Sequence, residues 1–207
     1  MAVVSTTSNH FKYQLGKKLI DLSTDTLKAV LMNSAFTFDK DAHANLAAIT
    51  EDIWEASTVY TADDIVIPTT PNGHKYICTT GGTSDATEPA SWPSTSTQAD
   101  GSVVWTRTAD DDQIPTGNGY TQNSHTFTTP AWAEDDTNDK GAFTCDNLTI
   151  TADATTDATG IGPVGSYCIY DDTTADDTII CCVDFGTDYT VNDGSSIQLQ
   201  NVAISVA

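Results

Sequence analysis

The C-terminal half of the chain is built from short apolar-alternating runs separated by turn-forming residues. "GAFTCDNLTIT" (141–151), "GSYCIYDD" (165–172), "DTIICCVDF" (177–185) and "SSIQLQNVAISVA" (195–207) are each strand-sized. Between them lie the Asp-, Thr- and Gly-rich "YDDTTADD" and "TVNDGSS", read as turns at hairpin positions. Phe143 and Cys145, then Ile197 and Leu199, then Val202, Ile204 and Val206 follow the two-residue period of a half-buried strand. Many short strands at regular spacing predict an all-β fold, with a sandwich or jelly-roll-like body.

The acidic residues agree with that class. Of 29 acids, 25 are Asp and four are Glu. Asp is a weak helix former and a good turn and cap residue, so the bias suits loops between strands. The formal net charge of −21, with eight Lys and Arg in all, excludes a phosphate-tracking surface for nucleic acid. A solvated acidic surface explains the charge. The acid runs "TADDDQ", "AEDDTNDK" and "YDDTTADD" lack the spacing, central Gly and terminal Glu of a calcium loop. No cofactor and no metal site is expected. The longest apolar runs, such as "IICCV" (179–183), are too short to span a bilayer, and "MAVVSTTSNHFK" does not read as a signal peptide. A chain made in the cytoplasm, with no membrane partner, is the expectation.

The stretch "KKLIDLSTDTLKAVLMN" (17–33) is ambiguous. Leu15, Leu19 and Leu22 fall at helical spacing, but "STDT" breaks the run and "LKAVLM" is strand-like. A short helix over 10–20 capped by Asn9, a turn and a strand is the reading adopted. The loop "DKDAHANLAAITED" follows.

From Ile53 the composition shifts. Trp54, Trp92 and Trp105, three of the four tryptophans, fall within 53–108. Short runs "DIVIP", "HKYICTT", "GGTSDATEPASWP" and "GSVVWTRT" are punctuated by turns, and "NG" (72–73) is a hairpin signal. The division expected is a discontinuous body of 1–52 and 113–207, with a small aromatic-rich β-module at 53–112. Trp105 and Tyr76 read as the module's own core. Trp54, Tyr60 and Trp92 are the candidates for an exposed glycan-binding face, with core packing as the competing reading.

Chemical motifs are sparse. "GIGPVG" (160–165) matches a dinucleotide-binding pattern in letters only, since it lacks the preceding strand and following helix; it reads as a turn. "NLT" (147–149) is a glycosylation sequon with no secretion signal to give it meaning. The histidines are scattered, and no nucleophile elbow, zinc-protease or phosphate-binding motif occurs. No catalytic residue is assigned and no enzyme is expected. The five cysteines form no CxxC pair; they read as buried reduced thiols, with adjacent Cys181 and Cys182 facing opposite sides of a strand.

Three stretches carry a family resemblance. They are "GKKLIDLSTDTLKAVLMNSAFTFDKDAHANLAAIT" (16–50), "GNGYTQNSHTFTTPAWAEDDTNDKGAFTCDNLTIT" (117–151) and "YCIYDDTTADDTIICCVDFGTDYTVNDGSSIQLQ" (167–200). In this order they resemble a family of tailed-bacteriophage virion proteins, over about 1–52 and 113–207. The insert is similar to a repeat common in phage structural proteins, and to small chitin- or cellulose-binding modules. Its marks are Trp54, Tyr60, Asp64, "NGHKY", "GGTSDATEP", Trp92–Pro93 and "DGSVVW"; "TADD" replaces the usual "xxGD" turn.

The resemblance implies a non-enzymatic virion structural protein. A capsid decoration (cement) protein on the outside of the head shell is the first expectation, with the major capsid protein as partner. By symmetry it implies a homo-oligomer such as a trimer. The alternative is a tail or fibre component that binds host-surface glycans through 53–108. The N-terminal "MAVV" is expected to act as an arm that clamps a neighbour or the shell.

Overall fold

The computed structural model describes residues 4–70, 72–110, 112–138, 140–153 and 160–206. The chain is all-β, with 46% strand and 6% helix. It opens with β1 (Val4–Thr7), helix α1 (Asn9–Gly16) and β2 (Leu27–Asn33). Within the insert come β3 (Asp52–Ile53), β4 (Val59–Tyr60), β5 (Ile65–Ile67), β6 (His74–Thr80), β7 (Gly82–Thr83), β8 (Thr97–Asp100) and β9 (Val103–Asp110). The body resumes with β10 (His125–Thr126), β11 (Ala131–Asp135), β12 (Lys140–Thr144) and β13 (Leu148–Thr151). It ends with β14 (Ile161–Asp171), β15 (Ile179–Val191), β16 (Ser196–Leu199) and β17 (Ala203–Val206).

The main sheet of the body is antiparallel, in the order β1-β15-β14-β2-β10. Strand alternation gives it two buried faces. Leu27, Ala29 and Leu31 of β2 enter a large core with Phe11, Ile169, Phe143, Ile150, Leu199 and Ile204. Those last four come from β12, β13, β16 and β17, whose pairs β11-β12-β17 and β13-β16 cover this face as in a sandwich. Val30 and Met32 point the other way, joining Cys168, Tyr170, Ile179 and Cys182 under Leu46 and Ile49 from the 34–51 segment.

In the insert, β3-β5-β6-β9-β8 form one sheet and β4-β7 a separate pair. Its named strands pair only among themselves. The two ends of the insert lie side by side: Lys75 Nζ donates to Glu51 at 2.8 Å and to Asp112 at 3.1 Å. Just beyond, Asp112 and Ile114 are hydrogen-bonded to Asn33 and Leu31 at the end of β2.

Several local expectations need correction. Helix α1 stops at Gly16 rather than 20, because Lys18 is left-handed (φ 59°) and the amides of Lys17, Lys18 and Leu19 fold back on the last carbonyls. Leu19 is therefore left in solvent while Ile20 and Leu22 are buried. The cap is Ser8, fully buried, whose hydroxyl accepts from His10 N; Asn9 is the first helical residue. "STDT" is the expected turn and "LKAVLMN" the expected strand.

"GIGPVG" is strand, not turn, from Ile161 on. Its glycines make it an irregular part of β14, with register shifts at Val164 and Ser34 packed where a Gly165 side chain would stand. "YDDTTADD" is a true hairpin connection between β14 and β15, whereas "TVNDGSS" carries the chain from one sheet to another. In "GGTSDATEPASWP" only Gly82–Thr83 is strand. Val4, expected in a clamping arm, starts β1 and pairs with Asp184 of the protein's own sheet; residues 1–3 lie outside the described residues.

The cysteine expectation also changes. Cys168 and Cys182 are directly paired across β14 and β15, their Cα atoms 4.0 Å apart, and are joined by a disulfide. Cys78, Cys145 and Cys181 are free. Cys181 does face the opposite core from Cys182, as strand alternation requires.

Candidate functional site

The sequence puts the candidate binding face among the insert's aromatic residues. Trp54, Tyr60, Tyr76 and Trp105 form one buried cluster with Val66, Cys78 and Val103, and Trp92 packs against it. Tyr60 meets Trp105 edge-on at 4.9 Å, and Trp92 lies 4.5 Å from Tyr76 and 6.0 Å from Trp105 between ring centroids. Trp54 is 5% exposed and Tyr60 is 8% exposed.

The expectation of an exposed stacking face therefore fails for both residues: their rings are committed to the module's interior. A module this small has little else from which to make a core. Trp92 is the exception in part, being half-buried with its indole N–H on Glu88 Oε1 at 3.0 Å. Trp105 and Tyr76 are core residues, as expected.

What organises this cluster is a carboxylate. Asp100, 2% exposed, accepts the indole N–H of Trp54 at 2.7 Å and of Trp105 at 2.9 Å on one oxygen. Its other oxygen accepts the backbone N–H of Asp85 at 2.9 Å. A buried charge is tolerable when its lone pairs are filled in this way. Asp100 sits at the end of β8, where Gly101 (φ 60°) turns the chain into β9. The "DG" dipeptide between extended runs is the hairpin signal that could have located it in the sequence. Tyr60 OH accepts from Glu55 N at 2.8 Å, and burial raises its pKa.

The titratable groups of the body serve the fold in ways that can be read off. His10 pairs with Asp176 at 2.9 Å and with Gln14 at 3.1 Å. His125 stacks on Tyr120 at 4.9 Å, and burial lowers its pKa. Lys28 bridges to Asp172 at 2.7 Å. Asp171 is fully buried at the end of β14, and burial, with the hydrogen-bonded Asp25 carboxyl close by, pushes its pKa up to about 6. Among the free thiols, burial raises Cys145 to about 11 and Cys181 to about 12, so neither is a ready nucleophile.

Among the described residues no three His, Cys, Asp or Glu side chains are grouped to hold a metal ion. No helix among them is long and apolar enough to cross a membrane. Comparison of the chain with family models, with curated proteins and with solved structures found no match in any of the three.

Proposed function

We propose that this chain is a non-enzymatic structural protein of a tailed-phage virion, acting as a decoration protein on the outside of the capsid shell. The observation that supports the reading is how the family-like stretches come together. Segments 16–50, 117–151 and 167–200 are far apart in sequence, yet they supply the strands of a single body. β2 from the first lies between β14 and β10, and β13 from the second pairs with β16 from the third. The aromatic insert enters and leaves at one point of that body. A body that carries an accessory module at one point suits a division of labour in which the body seats on a lattice and the module projects from it.

On this reading the partner is the major capsid protein, the location is the virion surface, and a closed homo-oligomer such as a trimer matches a symmetric lattice site. The strongly acidic surface, at net charge −21, suits an exterior position better than one against the packaged nucleic acid.

Quantitative mass spectrometry of purified particles tests the proposal. Hundreds of copies, in a fixed ratio to the major capsid protein, are expected. A dozen copies or fewer would move the protein to the tail or fibre, and absence from particles would end the virion reading.

A further inference from the structure

With Trp54 and Tyr60 buried, the large aromatic rings most open to solvent lie on the body: Tyr13, Trp132 and Tyr189. The Tyr13 ring stacks on His10 and sits 5.4 Å beneath Lys17 Nζ. Trp132 lies flat on Gly141, where a side chain's first carbon would stand 2.4 Å from the indole. Tyr189, 50% exposed, is different, because it stands in the wall of an open groove of about 400 Å³.

The groove runs between the C-terminal part of β15 and β16. Phe185 holds the Tyr189 ring edge-on at 5.6 Å, and buried Tyr167 supports Phe185 at 5.7 Å. This aromatic series fixes Tyr189 while leaving it accessible. Val191 and Leu199, both buried, form an apolar floor. Thr190, Asn192 and Ser195 line the rim, and their side chains make no hydrogen bond among the described residues. Every described residue lining the groove is uncharged, in a chain with 29 acids.

A fixed aromatic face, an apolar floor and free groups that both donate and accept hydrogen bonds match one ligand chemistry closely. A sugar ring offers an apolar C–H face and a rim of hydroxyls that donate and accept. We propose that this groove binds a neutral saccharide. Tyr189 is the stacking platform, and Asn192, Thr190 and Ser195 read the hydroxyls. The volume falls within the ordinary range of small-ligand sites. Asp188 and Asp193 flank the lining in sequence and would repel anionic sugars. The site lies on the body, not on the aromatic insert, and it does not depend on the virion reading, which the particle copy number decides separately.

The test is a glycan array probed with the purified full chain. The array carries neutral glucans, mannans, galactans and chitooligosaccharides, with sialylated and uronic-acid glycans beside them. Calorimetry with the best neutral binder then compares variants. Expected are binding to at least one neutral glycan and a loss of roughly ten-fold or more in Tyr189→Ala, the size of a lost stacking contact. A weaker loss is expected in Asn192→Ala, with near-normal binding in Tyr189→Phe and in Trp92→Ala. Should Tyr189→Ala fail to fold, Asn192→Ala against Tyr189→Phe carries the comparison. Binding to no neutral glycan, or only to anionic ones, overturns the proposal. So does binding lost in Trp92→Ala but retained in Tyr189→Ala, which would return the site to the insert. A sedimentation change in Tyr189→Ala without glycan binding would make the groove a contact between copies instead.

Discussion

Two buried aspartates illustrate how the same residue type acts in opposite senses. Asp100 is filled with donors, two indole N–H groups and one backbone N–H. Asp100→Asn must turn an amide N–H toward one of those donors. We expect the insert to lose about 3 kcal/mol of stability, the cost of breaking charged hydrogen bonds and leaving a buried donor unpaired. Denaturant unfolding followed by tryptophan fluorescence measures it, and an unchanged midpoint would show that the carboxylate is dispensable. Asp171 is the reverse case, a buried carboxyl beside another carboxyl. Its folded pKa of about 6 lies above the ordinary aspartate value of 3.8, so the folded state holds a proton that the unfolded chain has released between those values. Stability from this group is therefore present at low pH and lost as pH rises toward 6, by up to about 3 kcal/mol. Asp171→Asn keeps an acceptor for Thr173 N–H and removes the charge. The difference in melting temperature between the variant and the unmodified protein should grow in the variant's favour from pH 4 to pH 7. A difference that stays constant with pH would refute the assignment.

At the scale of elements, β2 and β12 to β17 are legible because each places side chains in a buried core. Leu27, Ala29 and Leu31 face one way and Val30 and Met32 the other, so the run reads as continuous rather than alternating, yet its length and composition still mark a strand. β8, β1 and β11 were not seen in the sequence. "TQAD", "VSTT" and "AWAED" carry little apolar alternation, and pairing with a neighbour is what makes them strands. The same pairing settles the cysteines. Nothing in the spacing of Cys168 and Cys182 announces a bridge, but the hairpin register sets them directly opposite one another. Thiol titration in denaturant without reductant should count the three free cysteines, Cys78, Cys145 and Cys181. A count of five would mean that the pair is reduced.

For the whole molecule, the telling feature is the shared Lys75 contact between Glu51 and Asp112, at 2.8 and 3.1 Å. Both ends of the insert lie within reach of one ammonium group, so a short Gly-Ser linker can replace residues 53–110 without stretching the body. We expect the shortened chain to give a cooperative melt and a β-type circular dichroism spectrum. Loss of cooperativity would show that the body needs the insert in order to fold. The candidate glycan residues teach the complementary lesson. Composition singled out the insert's tryptophans, but a small module consumes its aromatics as core, and the open ring with free polar neighbours is Tyr189, far from that concentration.

The all-β class, the turn after "LKAVLMN"'s preceding helix, and the opposite facing of Cys181 and Cys182 followed from the sequence alone, because strand period and turn chemistry are local properties. Which aromatics are buried, which cysteines meet, and where an uncharged groove opens in an acidic chain were decided by tertiary structure. Each depends on which strands become neighbours, and no local pattern encodes that.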